Sequence, residues 1–77
     1  MKINYDKVAD AIYFAIKEAK IFKTLAVSEF LNVDIDKKGE TVGIELLNAS
    51  SKQGVELEKS IRNGVPVEVV AGTPVTA

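Results

Sequence analysis

The sequence contains no cysteine and no histidine. Without cysteine there are no disulfide bonds, and without either residue the common structural zinc sites cannot form. The chain is also short: with 77 residues it hides only about 60–65% of the surface that its unfolded form exposes, which leaves little stability. Small domains compensate with disulfides, metals or oligomerisation. Because disulfides are excluded and the usual zinc ligands are absent, we expect the chain to form a homodimer.

A strong charge of one sign is absent as well: the chain has 10 basic and 11 acidic residues and a net charge of −1. Nucleic-acid-binding proteins usually carry a basic patch or stripe. Lys17, Lys20 and Lys23 are better explained as a solvated surface, so nucleic acid is not an expected partner. No apolar run approaches the roughly 20 residues that span a bilayer, and the start MKINYDK lacks the apolar core of a signal peptide. We expect a cytoplasmic protein without membrane contact.

Glycine occurs only singly, which excludes a glycine-rich loop that cradles phosphate groups. The serines have no histidine that could act as their general base. Hydrophobic residues nevertheless make up 47% of the chain, enough for a core and one apolar contact surface, and this argues against disorder. The composition predicts one folded domain over residues 1–77, with no cofactor and with no enzymatic activity expected.

The clearest element is a β-hairpin within FLNVDIDKKGETVGIELLN, residues 30–48. Apolar and polar residues alternate along both arms, as in strands with one buried face. Between the arms, DKKGE supplies an aspartate that starts a turn and Gly39 for a left-handed position. The apolar positions are Leu31, Val33 and Ile35 on the first arm and Val42, Ile44 and Leu46 on the second.

Residues 51–64 are predicted to form a short helix. Ser50 and the glutamine three residues later fit a capping box, and the pair Asn63-Gly64 fits a helix end. Pro66 follows, and proline in a sheet is confined to an edge strand or to a strand's start. Residues 65–71 are therefore predicted to form a short C-terminal edge strand, and residues 72–77 a frayed tail.

The stretch DKVADAIYFAIKEAK, residues 6–20, fits two kinds of secondary structure. Val8, Ile12 and Ala15 recur at the spacings of three and four that are typical of a helix. Ile12 and Phe14, by contrast, fall on the same face of a strand, and the β-branched and aromatic residues there favour a sheet. The pattern alone leaves both possibilities open.

Two segments resemble a known family. The start, MKINYDKVADAIYF, and the middle, VDIDKKGETVGIELLNAS, are similar to the short prokaryotic proteins called domain of unknown function 2283. The family pattern opens with M-K-I-x-Y-D and A-D-A-[IL]-Y, and it continues with an acidic turn and G-I-E-[IL]-L-x-A-S. Residues 1–6, 9–13 and 43–50 match this pattern. The resemblance covers residues 1–50, and the sequence from residue 51 onward departs from it.

The resemblance implies a β-meander over residues 1–50 in which ADAIYF is a strand. Residues 11–16 are therefore predicted as a strand, with YDKVAD as the turn before it. Asp6 and Asp10 then become turn residues whose side chains accept backbone N–H bonds. Altogether this predicts an α+β fold: a small antiparallel β-meander of three to four strands, one short helix and a short C-terminal edge strand. The family has no assigned activity, so the resemblance implies no catalytic residues.

Asp34, Asp36 and Glu45 are the candidate metal ligands. Asp34 and Glu45 fall on the same outward face of the predicted hairpin, and carboxylate oxygens are ligands for calcium and magnesium. Acid–base catalysis needs two carboxylates in different environments, and nothing in the sequence predicts a dry pocket for either one. A solvated sheet face explains these acids better. A carboxylate-dependent divalent-ion-binding protein or enzyme is therefore the alternative function.

The main functional hypothesis is a homo-oligomeric protein-binding or regulatory module. Tyr13 and its neighbour Phe14 point to opposite faces of a strand, so one of them can join an apolar contact patch. A C-terminal edge strand with free backbone groups also invites pairing with another chain. An antitoxin-like partner of a small neighbouring protein is one version, based only on fold-level analogy. The interface candidates are Tyr13, Phe22, Leu47, Val67 and Val69.

Overall fold

The computed structural model describes residues 1–64 of the chain. In that range it contains five β-strands and one α-helix, which confirms the α+β class. The predicted strand at residues 65–71 and the predicted tail at residues 72–77 lie outside the described residues, and so do Val67 and Val69. The elements are β1 (Lys2–Asp6), β2 (Ala11–Ala15), β3 (Lys23–Ala26), β4 (Leu31–Ile35), β5 (Thr41–Leu47) and α1 (Lys52–Arg62).

The five described strands form one antiparallel sheet in the order β1-β2-β5-β4-β3. The prediction of three to four strands is therefore too low for this part of the chain. The sheet is also not a simple meander, because β5 pairs with β2 as well as with β4. β5 is the longest strand, with seven residues, and most of its positions are buried. Its apolar side chains need neighbours on both sides, which the central position provides.

The core lies between the sheet and α1. Phe14, Val33, Ile44 and Leu46 are its largest fully buried side chains, and they come from the three central strands. Ile61 of α1 packs against them. Full burial of a large apolar side chain is worth roughly 1.5–3 kcal/mol relative to exposure, so these few residues supply much of the driving force for folding. They also fix which face of each strand points away from the helix.

The opening stretch is a strand at Ala11–Ala15, as the family resemblance implied. The turn before it is held by Asp6, whose Oδ1 accepts the N–H groups of Val8 at 3.0 Å and Ala9 at 3.1 Å. Asp10 ends the turn in the left-handed region with φ 52°, a conformation that aspartate visits more readily than most residues. The helical alternative is wrong here because β2 pairs with a neighbouring strand on each side.

The predicted hairpin is confirmed as β4 and β5. In its turn, Asp36 Oδ1 accepts the backbone N–H groups of Lys38 and Glu40, both at 2.9 Å. Gly39 has φ 81°, the left-handed conformation for which the sequence predicted a glycine. The turn is therefore closed by the two residue types that the sequence indicated.

The helix starts one residue later than the predicted capping box. Ser51, rather than Ser50, is the N-cap, and its Oγ accepts the N–H of Gly54 at 3.0 Å. Ser50 is directed toward Asp10 instead, to which its backbone N–H and its hydroxyl both donate. The helix itself is 11 residues long, and no helix within residues 1–64 is long and apolar enough to cross a membrane.

Candidate functional site

We call the sheet face opposite α1 the open face. Because side chains alternate along a strand, the register of the sheet decides which residues share this face. Asp34, Glu45 and Asn32 lie on it, as the hairpin pattern predicted. It is mainly polar, in contrast to the apolar face under the helix. From one edge of the sheet to the other it carries Asn4, Tyr13, Gly43, Glu45, Leu47, Asn32, Asp34 and Thr24.

On the open face, the side chain of Tyr13 extends across β5, the central strand of the sheet. Its Cα lies opposite Glu45 of β5, but its hydroxyl donates to Asp34 Oδ2 of β4 at 2.7 Å. The ring passes over Gly43, where a Cβ would lie 1.9 Å from the tyrosine hydroxyl oxygen. Glycine is required at this position for space, and it lets one side chain connect three strands.

The other polar groups at the centre of the open face are also paired. Thr24 donates its hydroxyl to Asp34 Oδ1, and Asn32 Nδ2 donates to Glu45 Oε1 at 3.0 Å. Burial, together with the acceptor Asp34, raises the pKa of Tyr13 to about 12. The phenol therefore keeps its proton at neutral pH and acts as a donor. This pairing suits a rigid sheet surface better than an acid–base pair.

Asp36 belongs to a different cluster, at the β4–β5 turn. Its Oδ2 lies 2.8 Å from Lys17 Nζ, and the same ammonium group contacts Glu40. The hydrogen bond from Lys17 lowers the pKa of Asp36, and the bond to Asp36 in turn raises the pKa of Lys17. This cluster joins the segment after β2 to the turn between β4 and β5, and β5 is the neighbour of β2 in the sheet.

The three candidate metal ligands thus have separate partners. Asp34 accepts hydrogen bonds from Tyr13 and Thr24, Glu45 from an asparagine, and Asp36 from a lysine and its own turn. Within residues 1–64 no group of three or more acidic, histidine or cysteine side chains is arranged to hold a metal ion. The metal site stays a prediction, and the geometry gives it no support.

A second hydrogen-bonded cluster joins the β1–β2 turn to the start of α1. Asp10 accepts the hydroxyl of Tyr5 at 3.1 Å and the hydroxyl of Ser50 at 2.7 Å. The Ser50 hydroxyl lowers the pKa of Asp10, and the hydrogen bond to Asp10 raises the pKa of Tyr5. All three residues lie in the motifs that carry the family resemblance, which was the available signal for this cluster. It borders a groove of about 350 Å³ between β1 and α1, whose walls include Ile3 and Val55.

An exposed apolar pair lies at the start of β3. Phe22 is 62% exposed and Ile21 is 48% exposed. Both line a surface cavity of about 550 Å³. We call this surface the Phe22 patch; its lining residues are Ile21, Phe22, Lys20, Asp36, Lys37 and Lys38.

The interface candidates therefore have different environments. Phe22 is exposed, whereas Tyr13 and Leu47 are half-buried on the open face. Tyr13 is in addition hydrogen-bonded to Asp34. Among the candidates within residues 1–64, Phe22 is the one whose side chain is accessible to a partner without rearrangement.

Comparison with known proteins agrees with the motifs. A profile of a family described as "Protein of unknown function (DUF2283)" matches residues 2–50. The chain is 37% identical over 70 residues to the uncharacterized protein MJ0789 of Methanocaldococcus jannaschii. That alignment covers 91% of this chain and 60% of the archaeal protein, so the chain spans less than two thirds of this relative. No solved structure matches the chain. On the family match and this relative, the chain belongs to the DUF2283 family of proteins of unknown function.

Proposed function

We propose that the protein is a homo-oligomeric protein-binding module that contacts its partner through the Phe22 patch. The observation that carries this proposal is the exposure of Phe22 and Ile21 beside a concave surface of about 550 Å³. Aromatic side chains at the centre of a polar rim are typical of residues that dominate binding energy in protein interfaces. A partner that covers both side chains would remove a large apolar area from water.

The rim of the Phe22 patch indicates the chemistry of the partner. Lys20, Lys37 and Lys38 surround the apolar pair, and Asp36 is already paired with Lys17. The local charge is therefore positive although the chain as a whole is slightly negative. An apolar segment flanked by acidic residues would fit this surface, because opposite charges around an apolar centre favour encounter and orientation.

The alternative functions have less support. The carboxylates on the open face are occupied by hydrogen bonds, which disfavours a divalent-ion site or a catalytic pair. An antitoxin-like role toward a small neighbouring protein is a narrower form of the proposal, and it requires a partner of one kind in a fixed ratio. Tyr13 and Leu47 remain proposed secondary contacts on the open face, and the proposed contacts of Val67 and Val69 lie outside the described residues.

The test is affinity purification of the tagged protein from its own cells, with Phe22→Glu compared with Val8→Glu. Val8 is 99% exposed and lies in the β1–β2 turn, so its change adds the same charge away from the patch. We expect one stoichiometric protein partner for the wild type and for Val8→Glu. Phe22→Glu should weaken binding of that partner by at least about tenfold, because a charge replaces the central apolar contact.

Circular dichroism and thermal melting check that both variants are folded. The same partner bound equally by Phe22→Glu would contradict the assignment of the surface. Wild-type protein that retains no partner in these cells would contradict the protein-binding proposal itself.

A further inference from the structure

We infer that the outer edge of β1 pairs with β1 of a second copy of the chain, antiparallel and centred on Asn4, so that the five described strands of each copy join into one continuous sheet. This inference rests on the homo-oligomeric part of the proposed function and adds the surface and the register. It concerns the opposite edge of the sheet from β3, next to which the Phe22 patch lies. Dimerisation and partner binding can therefore be tested separately.

The backbone of β1 is suited to such pairing. In the part of the chain that the structure describes, β1 is an edge strand with β2 as its one neighbour. Hydrogen bonding alternates along antiparallel strands. Ile16 N donates to Val42 O of β5, so every second residue of β2, counted back from Ile16, directs its backbone N–H and C=O groups toward β5. The alternate residues of β2, including Tyr13, direct their backbone groups toward β1. The β1 residues that lie opposite these alternate residues are hydrogen-bonded to β2, whereas Ile3 and Tyr5 direct their backbone groups outward.

The side chains of β1 are complementary to themselves. When the strand KINYD is paired antiparallel about Asn4, Lys2 lies opposite Asp6 of the second copy, and Asp6 lies opposite Lys2 of the second copy. On the other face, Ile3 lies opposite Tyr5 of the second copy. One twofold operation therefore produces two pairs of opposite charges and two apolar pairs. Opposite charges directly across an antiparallel pair are favourable, and like charges there are destabilising.

The twofold pairing of β1 about Asn4 also matches the backbone hydrogen-bonding groups that β1 directs outward. In this register the pairs of Ile3 with Tyr5 are the hydrogen-bonded pairs, and Asn4 faces its own copy in a non-hydrogen-bonded pair. Tyr5 is 55% exposed, and it borders the groove between β1 and α1 together with Ile3. Pairing would therefore also bury apolar surface on the helix side.

The other edge strand does not offer this complementarity. β3 has the sequence KTLA, and Lys23 is its one charged residue. No antiparallel register of β3 with itself can place opposite charges across from each other. The charge pattern thus selects β1 as the dimer edge.

Single cysteines provide a direct test, because the natural chain has none. Across a non-hydrogen-bonded antiparallel pair the Cα atoms lie about 4.5 Å apart, within the range that a disulfide bridges. Asn4→Cys should therefore form a disulfide-linked dimer rapidly under mild oxidation. Val8→Cys is the control, because Val8 is 99% exposed in the β1–β2 turn and lies outside the paired residues. Its two copies would lie at opposite ends of the paired strands, well beyond the range of a disulfide, and should not cross-link.

Charge exchange gives an independent readout. Lys2→Glu alone and Asp6→Lys alone place like charges across both pairs, so each homodimer should be weakened by roughly tenfold or more. A mixture of the two variants should form a heterodimer, because each pair is then attractive again. The mixture also controls for the turn contacts of Asp6, which accepts the N–H of Val8, since a lost turn would not be repaired by mixing.

Sedimentation equilibrium of the wild type separates this inference from the proposed function. A wild-type dimer together with selective cross-linking of Asn4→Cys supports β1 pairing. A wild-type dimer in which Asn4→Cys links no faster than Val8→Cys overturns β1 pairing but leaves the homo-oligomer in place. A wild-type protein that is monomeric at all concentrations overturns both β1 pairing and the homo-oligomer, whatever the Phe22→Glu experiment shows about a protein partner.

Discussion

Tyr13 and Gly43 act as one unit at the scale of single residues. Gly43 is buried, and its lack of a side chain leaves the space that the tyrosine ring occupies. The ring then brings its hydroxyl to Asp34 of β4, which lies on the far side of β5 from β2. A glycine in a central strand normally weakens the sheet, since it packs nothing. Here the loss is offset by a side chain from another strand that covers the glycine.

Changing Gly43→Ala should therefore destabilise the protein by about 1–3 kcal/mol, the usual range for added volume in a well-packed site. The new Cβ would lie 1.9 Å from the Tyr13 hydroxyl oxygen, so the ring must move and its bond to Asp34 is lost. Urea unfolding of the variant and the wild type at the same protein concentration measures the difference.

A double-mutant cycle with Tyr13→Ala tests the cause. Once the ring is removed, Gly43→Ala should cost little, or even stabilise the strand, because alanine restricts the unfolded chain more than glycine does. An equal cost in both backgrounds would contradict the steric explanation.

The sequence predicts the position of these residues better than their contacts. Alternation along the hairpin places Asp34 and Glu45 on the outward face, and they lie there. The bond between Tyr13 and Asp34 depends on β2 lying beside β5, which no local pattern specifies. The suggested metal site rested on Asp34 and Glu45 sharing the outward face of the hairpin, whereas in the structure each accepts hydrogen bonds from side chains of other strands.

At the scale of secondary-structure elements, the start of α1 depends on how closely its first turn packs against the chain that precedes it. Gly54 lies in its first turn, and a Cβ there would be 2.3 Å from the backbone oxygen of Asn48 and 2.7 Å from that of Ala49. The glycine lets the helix pack closely on the chain that leads into it. Ser51 caps this turn, while Ser50 is held by Asp10. Two adjacent serines offer the same local signal, and only the tertiary contact to Asp10 distinguishes them.

This arrangement reverses the expected effect of Gly54→Ala. In an exposed helix the change should stabilise by about 1 kcal/mol, because alanine favours the helix. Here we expect a loss of about 1–3 kcal/mol, since the Cβ would meet backbone atoms that cannot turn away. Gln53→Ala, at the exposed neighbouring position, is the control and should be neutral or slightly stabilising. A stabilising Gly54→Ala, measured by thermal and urea unfolding, would contradict the close packing.

The strands differ in how well the sequence identifies them. The β4–β5 hairpin is identified because alternation on both arms agrees with the turn residues between them. The edge strands β1 and β3 are short and largely exposed, so their sequences lack a clear apolar face. β2 fits a helix locally and forms a strand because β1 and β5 supply backbone partners on both sides. The neighbouring strands in the sheet determine that these segments form strands, and the local sequence of each segment does not reveal those neighbours.

At the scale of the whole molecule, two aspartates hold distant segments together. Asp10 joins the β1–β2 turn to Ser50, 40 residues away, before the helix. Asp36 joins the β4–β5 turn to Lys17, beyond the end of β2. The hydrogen bond from Ser50 lowers the pKa of Asp10, and the hydrogen bond from Lys17 lowers the pKa of Asp36. Both carboxylates must be ionised to make these contacts in full.

Stability should therefore fall in acid. A lowered pKa means that the folded state binds fewer protons than the unfolded state between the two pKa values. The contribution of these aspartates is fully present above the unfolded value of about 4 and is lost as the pH falls through the lower folded value. The free energy of unfolding, measured by urea at neutral pH and at about pH 3, should decrease in the wild type.

The variant Asp10→Asn/Asp36→Asn should show a smaller decrease between the two pH values, because its two side chains no longer titrate. Asparagine also tolerates the left-handed backbone of residue 10, where φ is 52°, so the turn itself is kept. Glu56→Gln, a change on the exposed surface of α1, is the control and should retain the full decrease. Both measurements need one fixed protein concentration, because a dimer makes stability depend on it. A double variant that loses as much stability in acid as the wild type would show that other carboxylates, rather than these two links between distant segments, set the acid limit of the fold.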